Sequence, residues 1–266
     1  MLKDKMTMFI FSCEKFSDLW DGHVELLEKN WNDRGMDTYI VTDAPHETNY
    51  PNVSVMAAGV GKEFSERLEY ALKQIDTEYV FVTLDDYFLI EPVSNEKISA
   101  VIAMMDKEQL DYVRLFKRPK RANGEKLAGY PNVRRIINDS PYSVNLYAGI
   151  WRKSFFEKTV ADVRDPWRFE ISLCRIATQL DAKCAVSNNK EFVILDVVRK
   201  GKILNKANRY FKKHGIYHGD RPVQSKWYEF KLGVRTLGAR HMPKFIVNAA
   251  RNFMIKRGHH YYTQDD

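Results

Sequence analysis

The chain has 266 residues, of which 44% are hydrophobic and 29% charged, and its formal net charge is +7. These values are typical of a globular protein and exclude a disordered or collagen-like chain. Three widely spaced cysteines, Cys13, Cys174 and Cys184, exclude a disulfide framework and indicate a reducing compartment. The N-terminal apolar run is too short for a signal peptide, and no run is long enough to span a bilayer. We therefore expect a cytoplasmic protein.

Short apolar segments alternate with amphipathic segments in the first half of the chain. Segments rich in β-formers predict strands, and segments with apolar residues at helical spacing predict helices. The predicted strands cover 7–13, 37–43, 52–58, 79–84 and 111–117, and the predicted helices cover 16–31, 61–75 and 95–110. This alternation predicts an α/β, Rossmann-like fold with a mostly parallel, mixed sheet flanked by helices. Ligands bind such sheets beyond the carboxyl ends of the strands.

The pattern changes after residue 117. A polar segment with glycine and proline, 117–132, is predicted to be a loop or a small excursion. Strands are then predicted over 133–138, 143–152 and 191–198, and helices over 153–160, 166–180, 203–215 and 242–258. We expect one large α/β domain over residues 1–200, followed by a helical, basic C-terminal extension over residues 201–266.

Two adjacent carboxylates, Asp85 and Asp86, lie between the apolar segments YVFVTL and YFLI. Burying a charged pair without a partner is very costly, and a cation would remove that cost. Mg²⁺ and Mn²⁺ prefer carboxylate oxygens and leave positions open for phosphate oxygens. We expect Asp86 to bind the metal and Asp85 to bind a ribose hydroxyl or a metal-bound water. The alternative is an ordinary turn with a solvated or helix-capping aspartate.

The segment RLEYALKQIDTEYVFVTLDDYFLIEPV, followed by NLYAGIW and DPWRFE, resembles bacterial glycosyltransferases of the GT-A fold from capsule, O-antigen and exopolysaccharide biosynthesis. The resemblance covers roughly residues 7–200, and LDDYFL is its most specific element. It implies a GT-A catalytic domain with a nucleotide-binding half, 1–117, and an acceptor half, 118–200. It also implies a divalent metal that bridges the diphosphate of a nucleotide-sugar. The chain has Leu84-Asp85-Asp86 in place of a full Asp-x-Asp motif, which makes Asp86 the better metal ligand.

An inverting glycosyl transfer needs a general base beside the acceptor hydroxyl. Glu170, in DPWRFE, resembles the catalytic carboxylate of inverting GT-A enzymes in position, and Asp165 is the substitute. Each also has a structural interpretation: Glu170 as an ordinary first-turn glutamate favoured by the helix dipole, and Asp165 as a helix cap. The presence of a base candidate favours inversion over retention.

Further side chains are candidates for the donor and the sugar. Asp43 ends a predicted strand, and by resemblance it would bind the base or the ribose of the nucleotide. Arg67, in the helix before Asp85, could reach the diphosphate. A basic loop after the last strand could neutralise the leaving diphosphate, or it is an ordinary surface. The loop candidates are Arg199 and Lys202, and the sugar-lining candidates are Asn145, Gly149, Trp151 and Trp167. Alternatively, Arg67 is a solvated helix residue and the aromatic residues belong to the core. His214 and His218 could supply a third metal ligand or lie in a solvated loop.

Residues 222–264 contain eight lysines and arginines and a single acidic residue, Glu229. Within them, 242–258 has an apolar helical face, which is typical of a helix that binds an anionic membrane surface. A helix packed on the enzyme or on a partner subunit is the alternative. No nucleic-acid-binding module is present, so nucleic acid is not an expected partner.

The sequence thus predicts a metal-dependent glycosyltransferase that uses Mn²⁺ or Mg²⁺. It would move a sugar from a nucleotide-sugar to a surface polysaccharide or a polyprenyl-linked glycan, on the inner face of the cell membrane. Nucleotidyl transfer is an alternative, although the glycine-rich phosphate loop usual for it is missing near the N-terminus. A non-catalytic scaffold that binds polysaccharide or a partner is another.

Overall fold

The computed structural model describes residues 2–160, 164–216 and 219–241, apart from the side chains of Arg121 and of residues 235–241. These residues belong to two compact units. The first contains the described residues up to 196 together with 216 and 219, and the second contains 197–215 and 220–241. The predicted boundary between residues 200 and 201 stays a prediction.

A central nine-stranded sheet organises the first unit. Its strands are β1 (Met6–Phe11), β2 (Thr38–Thr42), β3 (Ser54–Ala57), β4 (Tyr79–Leu84), β6 (Tyr112–Arg114), β7 (Asn123–Lys126), β8 (Val133–Ile136), β9 (Gly149–Arg152) and β10 (Cys184–Ser187). They lie in the order β3-β2-β1-β4-β9-β6-β10-β8-β7. Among these strands, β8 and β9 run against the direction of the others. The predicted mixed, mostly parallel sheet is therefore confirmed.

Helices cover both faces of this sheet. They are α1 (Trp20–Trp31), α2 (Phe64–Lys73), α3 (Asn95–Glu108), α4 (Lys153–Lys158) and α5 (Pro166–Gln179). Successive residues of a strand point to opposite faces, and β4 shows the result. Tyr79 and Phe81 pack in one apolar cluster with α1 and α3, whereas Val80 and Val82 pack in the other with α2, α4 and α5. The predicted arrangement of helices on both faces is confirmed.

Several predicted elements differ from the structure. The sequence analysis missed β10, because four buried residues with a neighbour on each side show no alternating pattern. The predicted strand 191–198 does not join the central sheet. Instead β11 (Ile194–Asp196) pairs with β5 (Tyr87–Leu89), which leaves the sheet directly after Asp86. The predicted loop 117–132 contains the edge strand β7.

The second unit begins with a hairpin of β12 (Val198–Arg199) and β13 (Lys202–Ile203). Its turn residues, Lys200 and Gly201, both have positive φ, of 52° and 71°, as the two-residue hairpin turn requires. Two helices follow, α6 (Asn205–His214) and α7 (Lys226–His241). Gly215 ends α6 with φ 69°, as predicted. The predicted helix 242–258 lies outside the described residues, and no described helix is long and apolar enough to cross a membrane.

Candidate active site

The carboxyl ends of β1, β2 and β4 meet at one edge of the central sheet. Phe11 of β1 is in register with Leu84 of β4 and with Val41 of β2, and all three strands are parallel. The chain therefore continues from these strands into three polar segments at the same edge. They are Ser12–Cys13, Asp43 and Asp85–Asp86. This is the position that the sequence predicted for Asp43, Asp85 and Asp86.

Asp85 is held in place by hydrogen bonds to its side chain and its backbone. Its Oδ2 accepts a hydrogen bond of 2.5 Å from Ser12 Oγ, which itself accepts one of 2.7 Å from Trp20 Nε1. The amide of Asp85 donates to the carbonyl of Phe11, and His23 Nδ1 lies 3.2 Å from the carbonyl of Asp85. Burial lowers the pKa of His23 to about 4, so the ring is neutral near pH 7 and donates to this carbonyl from Nδ1–H. The start of the turn after β4 is therefore hydrogen-bonded to Phe11 of β1, to the following Ser12 and to His23 of α1.

Asp43, Arg67 and Asp85 gather around Cys13. Burial raises the pKa of the Cys13 thiol, the carboxylates of Asp85 and Asp43 raise it further, and the guanidinium of Arg67 opposes them. Burial also acts to raise the pKa of Asp43, but hydrogen bonds from the Glu14 amide and Thr42 Oγ1, with the charge of Arg67, bring it below its ordinary value. We call Asp43, Arg67 and Asp85 the donor flank.

Arg67 has hydrogen-bonding capacity left at this flank. Its Nη1 donates to the carbonyl of Lys62 at 2.6 Å, so the side chain is anchored at one end. Its Nε is buried and has no acceptor among the described residues. A buried donor without a partner is costly. An anion bound at this edge would relieve that cost, and the predicted contact of Arg67 with phosphate stays a prediction.

A second group of side chains surrounds Tyr87, which directly follows Asp86. Tyr87 in β5 is paired with Asp196 in β11, and its ring packs on Tyr147 with centroids 5.3 Å apart. Burial raises the pKa of Tyr87, and the charges of Asp86, Asp196 and Glu170 raise it further. All three carboxyls therefore act on one phenol. We call Tyr87, Tyr147 and Glu170 the acceptor flank.

Glu170 lies near the start of α5 and points towards the loop before β9. Its Oε1 accepts a hydrogen bond of 3.2 Å from the amide of Leu146. Burial raises the pKa of this carboxyl above its ordinary value, although the Leu146 hydrogen bond opposes the shift. A carboxyl with a raised pKa is a stronger base once it is ionised. Glu170 is thus hydrogen-bonded to the residue before Tyr147, whose ring packs on Tyr87, and its role as a base stays a prediction.

Two of the predicted sugar-lining residues shape this loop from within. Asn145 is fully buried; its Oδ1 accepts from the Tyr147 amide at 3.2 Å, and its carbonyl accepts from Tyr112 Oη at 2.9 Å. A Cβ on Gly149 would lie 2.8 Å from Tyr112 Cε2 and 3.0 Å from the Val113 carbonyl. The sugar-lining prediction is corrected for these two residues, because both are buried and the Asn145 side chain holds the Tyr147 amide.

The predicted aromatic residues have opposite environments. Trp151 is fully buried and packs on Tyr112 and Phe156, with ring centroids 4.0 and 4.3 Å apart, so its ring belongs to the core and has no exposed face for a sugar. Trp167 is 60% exposed at the start of α5.

Asp165 is the N-cap of α5, with Oδ1 accepting from the amides of Trp167 and Arg168. The helix-cap interpretation of Asp165 is thus the one that the structure supports.

The remaining candidates lie in the second unit or outside the described residues. Arg199 faces Lys202 across the β12–β13 hairpin. His214 stacks on Tyr210 with ring centroids 4.3 Å apart. His218 lies outside the described residues. The predicted contacts of these side chains with phosphate or metal stay predictions.

The donor set at the Asp85–Asp86 turn fits a hard divalent cation. Within the described parts of the chain, no cluster of three or more His, Cys, Asp or Glu side chains could enclose a metal by itself. Mg²⁺ and Mn²⁺ do not need such a cluster, because one or two carboxylates with substrate phosphates and water complete their coordination. Asp85 and Asp86 supply such a pair of carboxylates.

Sequence reasoning missed several residues of the site. Ser12 and Trp20 hold Asp85, Tyr87 and Tyr147 form the stacked pair, and Asp196 faces Tyr87. Asp196 could have been found, because it also ends an apolar strand segment, ILD, as Asp85 does. Tyr87 and Tyr147 carry no such signal, since they are 60 residues apart and look like core aromatics.

Comparisons with known proteins found similar structures and no similar sequences. No protein-family description matches the chain, and no curated protein matches it. Similar solved structures include the following three. S. aureus TarS 1–349 in complex with UDP-GlcNAc has a TM-score of 0.48 at 15% identity, over 75% of this chain and 60% of that one. Mannosyltransferase PcManGT from Pyrobaculum calidifontis in complex with GDP-Man and Mn²⁺ has a TM-score of 0.48 at 10% identity, over 75% of this chain and 59% of that one. A UDP-glucose pyrophosphorylase in complex with UDP-glucose has a TM-score of 0.49 at 14% identity, over 79% of this chain and 99% of that one.

The chain spans about 60% of the TarS fragment and of the mannosyltransferase. All three TM-scores are below 0.5, and at this identity none of the three proteins indicates what the present chain binds.

Proposed function

We propose that this chain is a metal-dependent glycosyltransferase of the GT-A type that takes a sugar from a nucleotide-sugar donor. The observation that carries the proposal is the arrangement of carboxyls around one turn. Asp85 and Asp86 follow β4 and Asp43 follows β2 at the same sheet edge. Glu170 accepts a hydrogen bond from the amide of Leu146, and the ring of the next residue, Tyr147, packs on Tyr87, which follows Asp86. Glycosyl transfer needs such an arrangement: an anion-binding side for the leaving group and a base on the acceptor side.

The donor flank would bind the nucleotide. Asp43 has a lowered pKa, so it is ionised near neutral pH and can accept hydrogen bonds from ribose hydroxyls or from the base. Arg67, with its unused buried Nε, would donate to the diphosphate. Asp86 would hold Mg²⁺ or Mn²⁺, with Asp85 as second carboxylate or as partner of a bound water. The bound cation would neutralise charge on the departing diphosphate.

The acceptor flank would receive the hydroxyl that attacks the sugar. Glu170 would take the proton from this hydroxyl, and its raised pKa makes it a better proton acceptor at neutral pH. A direct attack assisted by one base inverts the configuration at the anomeric carbon. Trp167, which is exposed near Glu170 in sequence, would offer an apolar face to a glycan acceptor. We propose a surface polysaccharide or polyprenyl-linked glycan as this acceptor.

A thermal-shift panel tests the donor side first. UDP, GDP, CDP and TDP are added with and without Mn²⁺ or Mg²⁺, and a bound nucleotide at a hundredfold excess over its Kd should stabilise the fold by about 2.7 kcal/mol. We expect a metal-dependent shift with one nucleotide, which Asp86→Asn abolishes and the exposed control Asp76→Asn retains. No shift with any nucleotide would favour the scaffold.

A product assay then separates the two enzyme classes. The matching nucleotide-sugar is incubated with the protein and metal, with and without inorganic pyrophosphate. A glycosyltransferase releases nucleoside diphosphate, slowly to water and faster with an acceptor glycan. Formation of nucleoside triphosphate that requires pyrophosphate would instead show a nucleotidyltransferase and would overturn the proposal.

A further inference from the structure

Helix α7 of the second unit carries an apolar stripe on its surface. Trp227, Phe230 and Val234 are 62, 61 and 55% exposed. With about 100° between successive helical residues, these three positions lie within about 60° of one another around the helix axis. The rings of Trp227 and Phe230 stack with centroids 5.6 Å apart. We call these three residues the α7 stripe.

The opposite side of α7 packs on its own unit. Glu229 Oε1 accepts a hydrogen bond of 2.7 Å from the amide of Asn205, at the start of α6. The ammonium of Lys200 lies 5.7 Å from the ring centroid of Tyr228, in a cation–π contact. Both residues are only partly exposed. The helix therefore has one side fixed to the protein, while the α7 stripe is directed away from that side.

Lysines border the α7 stripe on both sides. Lys226 and Lys231 lie on either side of it around the helix, and the ammonium of Lys231 is 5.0 Å from the ring centroid of Trp227. An apolar stripe rich in aromatic residues and bordered by lysines is the pattern of a helix that lies in the headgroup region of an anionic bilayer. The aromatic rings would enter the boundary between headgroups and acyl chains, and the lysines would contact the phosphates.

Charge decides between a lipid surface and the other partners that the α7 stripe could have. A second copy of the chain would bring the same lysines against Lys226 and Lys231. The chain's own segment 242–258 is also basic, with Lys244, Arg251 and Lys256. Both would place like charges together, whereas anionic lipid supplies the opposite charge. We infer that the α7 stripe docks the protein on an anionic lipid surface, independently of the proposed catalysis.

Vesicle co-sedimentation of the full chain tests this inference. The vesicles are pure phosphatidylcholine, or phosphatidylcholine with about 30% phosphatidylglycerol, which supplies the negative surface potential. We expect binding to the anionic vesicles at least about tenfold stronger than to the neutral ones. Trp227→Ser with Phe230→Ser should weaken it by about thirtyfold, and Lys226→Glu with Lys231→Glu by about tenfold or more.

Two matched variants control for general effects. Val60→Ser with Tyr70→Ser removes exposed apolar side chains from the first unit, and Lys158→Glu with Lys183→Glu makes the same change of net charge there. Both should bind as the unaltered chain does, and all variants should keep its Tm because the substituted side chains are exposed. Equal binding to both vesicle types, no loss in either α7 variant, or equal losses in the controls would overturn the inference. A change of oligomeric state in the α7 variants without a change in vesicle binding would overturn it in favour of a second copy.

Discussion

The donor flank and the acceptor flank lie beside the same turn but are built in different ways. The donor flank combines the ends of two parallel strands, which carry Asp43 and Asp85, with Arg67 of helix α2. Its Asp43 is ionised readily because backbone and side-chain hydrogen bonds and Arg67 lower its pKa. The acceptor flank stands on a loop, a two-stranded ribbon and a helix, and burial raises the pKa of its Glu170. Two carboxyls with opposite shifts are suited to opposite tasks, one as a fixed charge and one as a proton acceptor.

The largest effect is expected at Asp86, which lies in the chain between Asp85 of the donor flank and Tyr87 of the acceptor flank. Asp86→Asn removes the better metal ligand, so we expect kcat/KM to fall at least about a thousandfold, since metal stabilisation of a leaving group is worth several kcal/mol. The thermal shift with nucleotide and metal should disappear as well. Asp76→Asn, at an exposed position, is the control. Unchanged metal-dependent binding in Asp86→Asn would contradict the metal assignment.

Glu170→Gln should separate the two flanks. We expect kcat to fall by about a hundredfold or more, because general base catalysis typically contributes that much. The Kd for nucleotide and metal should stay the same, since Glu170 is not part of the donor flank. Asp43→Asn is the converse variant, which should weaken nucleotide binding and change kcat much less. Full turnover in Glu170→Gln would rule out Glu170 as the base.

Gly149→Ala should act on the acceptor flank through packing. The added Cβ would meet Tyr112 and the Val113 carbonyl at 2.8 and 3.0 Å, and backbone cannot yield as a flexible side chain can. We expect a loss of about 1–3 kcal/mol in the free energy of unfolding, measured by urea denaturation. Gly233→Ala is the control, because nothing lies near its Cβ and it lies inside helix α7; it should raise the free energy of unfolding by up to about 1 kcal/mol, since alanine is the better helix former. A stability unchanged by Gly149→Ala would contradict the close packing.

The smallest effects are in the pH dependence of stability, and their signs are opposite. The pKa of Asp43 is lowered by folding, so its contribution is present above the unfolded value near 3.9 and is lost as pH falls through the folded value. The pKa of Glu170 is raised by folding. Its contribution to the free energy of unfolding is therefore present below the unfolded pKa of about 4.3 and is lost as pH rises through the folded pKa. At pH 7.5, Asp43→Asn should lower Tm, whereas Glu170→Gln should raise it.

Measurements of Tm from pH 3.5 to 8 check these signs. The difference in Tm between Glu170→Gln and the unaltered chain should shrink towards pH 4, because the Glu170 carboxyl is then protonated and, like the glutamine, uncharged. A Glu170→Gln variant that is less stable than the unaltered chain at pH 7.5 would show that hydrogen bonds outweigh burial at this carboxyl. A gain in Tm together with a loss in kcat is expected of a residue kept for its activity.

The sequence predicted the donor flank better than the acceptor flank, for a physical reason. Asp43 and Asp85 each end an apolar segment, and the rule that parallel strands end at one sheet edge is enough to bring them together. Glu170 was predicted only by its place in a motif. Its partners, Tyr87 and Tyr147, come from distant segments, and no local pattern joins them.

The errors have the same origin. Trp151 and Gly149 were expected beside a sugar. An aromatic residue and a glycine in one motif, however, are consistent with a packed core as well as with a sugar pocket. Only the packing of Trp151 on Phe156, and of Gly149 against Tyr112, decides for the core. Likewise β10 was missed because its four residues form a strand only between two neighbours.

The sequence by itself determined the class of fold, the position of the Asp85–Asp86 pair at a strand end and the basic character of the C-terminal region. These follow from periodicity and composition, which are local properties. The tertiary structure alone decided which aromatic residues are buried, that β5 and β11 leave the central sheet, and that Glu170 accepts a hydrogen bond from the loop that carries Tyr147. These depend on contacts between residues far apart in the chain, where burial and charge act through space.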